Sequence, residues 1–139
     1  MPPGKNMDDL ITIMRSGMWR LYYQLSIEGK ARYFDEFFPL LHQTKANVLR
    51  ERDDDSWYLV YIGTRPAAQK MGLAKKLIDH VTATADKEGR AAYLESSHAT
   101  NVAYYRKRGF EIVKKIYLQR DHVPIELDIM VREPQSSKK

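Results

Sequence analysis

The chain has no cysteine. That excludes a disulfide framework, a thiolate nucleophile and cysteine-ligated zinc together. Long apolar runs are missing as well, and none approaches the roughly 20 residues that a membrane-spanning helix requires. The opening Met1-Pro2-Pro3-Gly4-Lys5 has no apolar stretch of the kind a signal peptide needs. A cytoplasmic location without membrane attachment is therefore expected. The four histidines, His42, His80, His98 and His122, are too dispersed for ligand spacing, so no metal is expected. Ser96-Ser97-His98 is contiguous, and adjacent side chains of an extended segment cannot pair as nucleophile and base. No Gly-Lys-Ser/Thr phosphate loop and no G-x-G-x-x-G fingerprint occurs. Zinc-finger, basic-zipper and RNA-recognition signatures are also absent, and the basic residues form no single run. Nucleic acid is not an expected partner.

What is present is an ordinary globular composition: 139 residues, 43% hydrophobic and 29% charged. One domain, 1–139, accommodates this length. A net charge of +5 and a pI of about 9.4 are most simply a solvated basic surface, and they leave open an anionic ligand such as a small molecule carrying several phosphates. Residues 1–56 read as helical. Asp8 or Asp9 is placed to cap a first helix with the stripe Leu10, Ile13, Met14, Met18, Leu21 and Leu25. Gly29 ends it, and an aromatic-rich second helix starts near Lys30 and is kinked or stopped by Pro39. A charged loop covers 50–56.

From residue 57 the pattern changes. Residues 57–62 form a continuous apolar and aromatic run, the mark of a strand buried on both faces. Leu73, Leu77, Ile78, Val81 and Ala85 keep helical spacing until Gly89. A short strand follows at 91–95, then a helix at 101–108 with Gly109 as its stop. Phe110, Ile112 and Ile116 alternate in the next strand, and Ile125, Leu127, Ile129 and Val131 alternate against Glu126, Asp128 and Arg132 in the last. The expected class is α/β with a mixed sheet and the order α-α-β-α-β-α-β-β. It contains a right-handed parallel crossover and a closing hairpin. Residues 57–133 are the core of the domain and 134–139 a mobile tail.

Three groups of residues could carry chemistry. Gln69-Lys70-Met71-Gly72-Leu73-Ala74 opens the long helix, where unpaired N–H groups and the positive dipole end hold phosphate. Taken alone, this segment is better explained as a plain helix N-terminus where glycine merely fits a turn. Asn101 with Tyr104 and Tyr105 forms the second group, in which one tyrosine, not both, faces the sheet. A phenol with a pKa of about 10 suits protonation of a departing thiolate, although a core aromatic is the plainer use of such a residue. Glu95 is the third, at the C-terminal end of its strand, outside which ligands bind in open α/β sheets. Only about one free amine in a thousand is unprotonated at pH 7, so a carboxylate base would help. A salt bridge to Arg90 or Lys107 is the competing use of Glu95.

Residues 64–74, Tyr93-Leu94-Glu95-Ser96-Ser97 and Asn101 to Phe110 occur in the order and spacing of a known family. Over about residues 40–133 the chain resembles the GNAT superfamily of N-acetyltransferases, most closely its puromycin N-acetyltransferase-like branch and fungal relatives. The resemblance implies acetyl-CoA as co-substrate, with the backbone from Met71 to Ala74, flanked by Gln69 and Lys70, holding its diphosphate. It implies that Ile62 and Thr64, ending the preceding strand, pair with the pantetheine arm, and that Asn101 bonds the same arm. Tyr105 falls where the family has its general acid. The implied reaction is direct acetyl transfer to a small-molecule amine in a ternary complex. Lys70 departs from the arginine or glycine usual at that loop position. The family's N-terminal strands have no counterpart in the helical 1–56, so the chain reads as N-terminally shortened. That opens the alternative of a non-catalytic module binding CoA or a protein partner. It also leaves the 57–62 strand at a sheet edge, for which a homodimer is expected as cover.

Overall fold

The computed structural model describes residues 1–5, 10–120 and 123–135. The proposed caps Asp8 and Asp9, His122 and the tail beyond Gln135 lie outside them. Four strands form one sheet: β1 Trp57–Leu59, β2 Ala92–Ser96, β3 Glu111–Arg120 and β4 Val123–Arg132, in the order β1-β2-β4-β3. β1 and β2 are parallel, joined by α5, Leu73–Glu88, and the β3–β4 hairpin extends the sheet through antiparallel pairing of β4 with β2. The crossover helix ends where expected, at Gly89 in the left-handed conformation (φ 67°).

The N-terminal half departs from the two-helix reading. α1, Leu10–Ser16, stops at Gly17 (φ 76°), a single 3₁₀ turn follows, and α2 is only Leu21–Gln24. The expected stripe is not buried: Leu10 and Met14 are more than half exposed, and Ile13, Met18, Leu21 and Leu25 are only partly covered. Gly29 does not end a helix. Its N–H donates to Ser26 Oγ at 3.0 Å, which places it in the first turn of α3, Ile27–Lys30. Pro39 does not stop the chain either. A π-helical stretch, Ala31–Phe37, leads into α4, Phe38–Leu49, and the Phe38 N–H bonds the Tyr33 carbonyl five residues back. Pro39 then stands at the start of α4, where its missing N–H is tolerated.

Helices cover both faces of the sheet. On one, Tyr93, Ile116, Leu127, Ile129 and Val131 pack with Leu49 of α4. On the other, Leu94, Phe110 and Met130 pack with Ile78 of α5 and Val102 of α6, Ala99–Arg106. Simple alternation fails in β3 for a local reason. The β3–β4 register shifts between Ile112 and Lys114, and this bulge reverses the parity of the residues beyond it. Ile112 therefore joins the α5–α6 face while Ile116 joins the α4 face. In β4 only Glu126 of the polar set is exposed. Arg132 is buried beneath α5, its guanidinium donating to both Asp86 oxygens at 2.6 and 2.7 Å and to the Arg108 carbonyl at 3.0 Å. Asp128 is likewise buried, whereas Ile125, expected inside, is 54% exposed near the hairpin end.

Candidate active site

The β1–β2 ladder sets the geometry. Pairing runs from Trp57 opposite Ala92 to Leu59 opposite Leu94 and stops there, although β2 continues to Ser96. The strand expected over 57–62 is thus three residues long and half-exposed, not buried on both faces. Beyond Leu59 the chain leaves the sheet toward Pro66, so Ile62 and Thr64 do not end a strand but lie in an unpaired segment. Among the described residues, no backbone hydrogen bond is made by 61–64. A notch opens where the two strands part, with free main-chain donors and acceptors along one side.

Glu95 is the first β2 residue past the last β1–β2 pair. Its half-buried carboxylate accepts from the Tyr58 hydroxyl at both oxygens, 3.0 and 2.9 Å. Burial raises its pKa above the ordinary carboxylate range, while the Tyr58 bond and the charge of Lys45 pull the other way. Lys45 of α4 is anchored on Asp53 through the carboxylate and, at 2.7 Å, the carbonyl, and its ammonium lies 5.7 Å from the centre of the Tyr58 ring. The Tyr93 hydroxyl is buried without a hydrogen bond, and burial followed by the Glu95 charge pushes its pKa up. Arg90 pairs with Asp55 and Glu88, which leaves Glu95 to Tyr58. Sequence reasoning misses both Tyr58 and Lys45. Tyr58 lies inside an apolar run, and only the register opposite Tyr93 brings its ring edge to face with that residue (5.4 Å) and its hydroxyl to Glu95.

Glu95 also lines a pocket of about 850 Å³ between the Arg32–Leu41 helical stretch and the sheet. Tyr105 belongs to the opposite face, packed edge to face on Phe110 at 5.9 Å, and burial raises its pKa. Tyr104 packs against the same cluster, so both tyrosines of the pair meet the sheet side. Each reaches it from one flank of α6, and the Arg108 guanidinium lies 3.4 Å above the Tyr104 ring. Asn101 is exposed in the first turns of α6, which His98 caps by accepting from the Thr100 N–H at 3.2 Å.

The 69–74 segment fits a diphosphate. Lys70 (φ 63°) and Gly72 (φ 71°) are both left-handed, which turns the chain sharply into α5. No atom lies within 4 Å of where a Cβ on Gly72 would sit, so the approach to the helix start is open. The first N–H groups of a 16-residue helix point there without intrahelical partners. Lys75 is engaged with Asp79, while Lys70 and Lys76 have no ion pair among the described residues.

Comparison with known proteins agrees with this geometry. The Acetyltransferase (GNAT) domain family matches residues 43–112, half of the chain. An N-acetyltransferase of Schizosaccharomyces pombe, named as uncharacterized, is 50% identical over all 139 residues, and the chain spans 56% of that relative's length. Two solved structures show weaker likeness. That of histone acetyltransferase HPA2 and related acetyltransferase from Corynebacterium glutamicum has a TM-score of 0.49 and 28% identity, over 60% of this chain and 44% of that one. That of Arabidopsis thaliana Naa50 in complex with a bisubstrate analogue has a TM-score of 0.46 and 23% identity, over 55% and 53%. A family match over half the chain, in the same order as the notch, the helix start and α6, means that this protein belongs to the GNAT acetyltransferase family.

Proposed function

We propose that the chain transfers an acetyl group from acetyl-CoA to the amine of a small molecule. The observation that carries this reading is the end of β1–β2 pairing one residue before Glu95, which sets a half-buried carboxylate beside a row of main-chain groups without backbone partners among the described residues. In this reading Met71 to Ala74 offer N–H groups to the diphosphate, with Gln69 and Lys70 framing the turn, and Ile62, Thr64 and Asn101 hold the arm. The bound thioester supplies the activated acyl carbon. Glu95, hydrogen-bonded by Tyr58, takes a proton from the incoming ammonium, and burial, by raising its pKa, makes it a stronger base than an ordinary carboxylate. The neutral amine forms the C–N bond as the C–S bond breaks, and the proton it sheds is balanced by one delivered to sulfur from Tyr105. Products are an amide and a free thiol. The puromycin-type branch and a two-fold dimer shielding the β1 edge belong to the same proposal.

Amine-dependent release of thiol from acetyl-CoA tests it. Tyr105→Phe is expected to lower kcat by roughly 10²–10⁴-fold with cofactor affinity unchanged. Binding of acetyl-CoA without thiol release for any amine would leave a CoA-binding module in place of an enzyme.

A further inference from the structure

The pocket beside Glu95 carries information about the acceptor. Its volume, about 850 Å³, is that of a site for a drug-sized molecule, well beyond what a short alkylamine fills. Its walls are mostly apolar: Phe37 and Leu41 come from the helical layer, Leu118 and Leu127 from the hairpin, and Val60 from the chain leaving β1, with hydroxyls only from Tyr33, Tyr58 and Ser97. Glu95 brings the one charge that reaches the pocket from the sheet. Arg32 and Glu36 stand one helical turn apart on the opposite side, and Arg32 is paired with Glu28 at 2.5 Å.

Resting on the acetyl-transfer reading, we propose that the acceptor is a primary amine borne by a bulky apolar or aromatic body. The body lies against Phe37, Leu41 and Leu127, with its ammonium directed to Glu95. The chemistry of the walls selects this class over others. A sugar amine would bring hydroxyls all round its ring, and a polyamine further ammonium groups along its length, against a lining that is mostly carbon and has few hydrogen-bonding side chains (Tyr33, Tyr58 and Ser97 beside the charged residues). An acidic amine would set its carboxylate against Glu95 in a site of low dielectric. An apolar amine meets neither cost and gains from burial of its body.

Three acceptors, 4-phenylbutylamine, spermidine and glucosamine, are compared by thiol release. Their binding to the protein without acetyl-CoA is measured by calorimetry. The expected result is binding of 4-phenylbutylamine alone, with a kcat/KM at least tenfold above either polar amine. Ile125, 54% exposed at the rim of the pocket, provides the variant, because a change there leaves the core untouched. Ile125→Lys places a like charge on the entry path and is expected to raise the KM for 4-phenylbutylamine about tenfold, with an unchanged melting temperature. Preference for spermidine or glucosamine, in binding or in turnover, overturns the proposal, as does binding of none of the three. Binding of 4-phenylbutylamine with no thiol release for any amine supports the pocket assignment and overturns acetyl transfer instead.

Discussion

Glu95 shows how one residue can be placed by sequence and defined only by structure. Its position at a strand end is legible, because a short apolar run closing on a carboxylate marks the end of β2 where ligands bind. Its partner is not legible, since the Tyr58 hydroxyl reaches it only through the parallel register of β1 and β2. The pair makes a directional prediction. Burial raises the Glu95 pKa, and the Tyr58 bond lowers it by favouring the charged carboxylate. Tyr58→Phe removes the hydroxyl that makes that bond, so the folded-state pKa should rise further. A base works when deprotonated, and its rate falls as pH drops through its pKa. The acid limb of the kcat profile is therefore expected to move to higher pH in Tyr58→Phe, with the high-pH rate retained. An unmoved limb would show that Glu95 does not titrate in catalysis.

Among the elements, those with strong local signals are legible: α5 between Gly72 and Gly89, β2, and the alternating hairpin. Those governed by a contact distant in sequence are not. Val60 to Ile62 have strand-like side chains yet leave the sheet, and the β3 bulge at 112–114 reverses a pattern that looks regular. The π-helical turn before Pro39 has no sequence period of its own. Arg132 reads as a solvated residue because its partner Asp86 lies 46 positions away in α5. That pair ties α5 to β4, with side-chain exposures of 6% for Arg132 and 20% for Asp86. Asp86→Asn leaves a buried guanidinium without its counter-charge and is expected to cost about 3 kcal/mol at pH 7 in chemical denaturation. The Arg132 bonds hold the Asp86 pKa below its ordinary 3.8. The stabilisation is thus complete above that range and is lost as pH falls through the lowered value. The gap between parent and variant should close toward pH 2, and a gap independent of pH would assign the effect to packing.

For the whole molecule, the decisive feature is an open sheet edge. Among the described strands β1 is the terminal one, and Tyr58 there exchanges both main-chain hydrogen bonds with Met1. Cover from the chain's own first residue is not legible in the sequence, because no strand pattern is present in 1–5. It protects one residue of the edge, while the groups at 61–64 make no backbone hydrogen bond among the described residues, and Tyr61, Met71 and Leu77 are each at least 60% exposed. Such an edge recruits another chain. Light scattering over a dilution series is expected to give the mass of a dimer at micromolar concentration and of a monomer well below it. A monomer throughout, with slow amide exchange at Tyr58 and Leu59, would mean that the Met1 contact suffices.

The central claim is that the notch after Leu59 and the turn before α5 together receive acetyl-CoA. Amide chemical shifts recorded during acetyl-CoA titration test it most directly. Met71 to Ala74 and Tyr61 to Thr64 are expected to shift together and saturate at one affinity, and Gly72→Glu is expected to abolish both responses while the remaining spectrum stays folded. Saturable binding that leaves both segments unmoved, or that survives Gly72→Glu at parental affinity, would contradict the account.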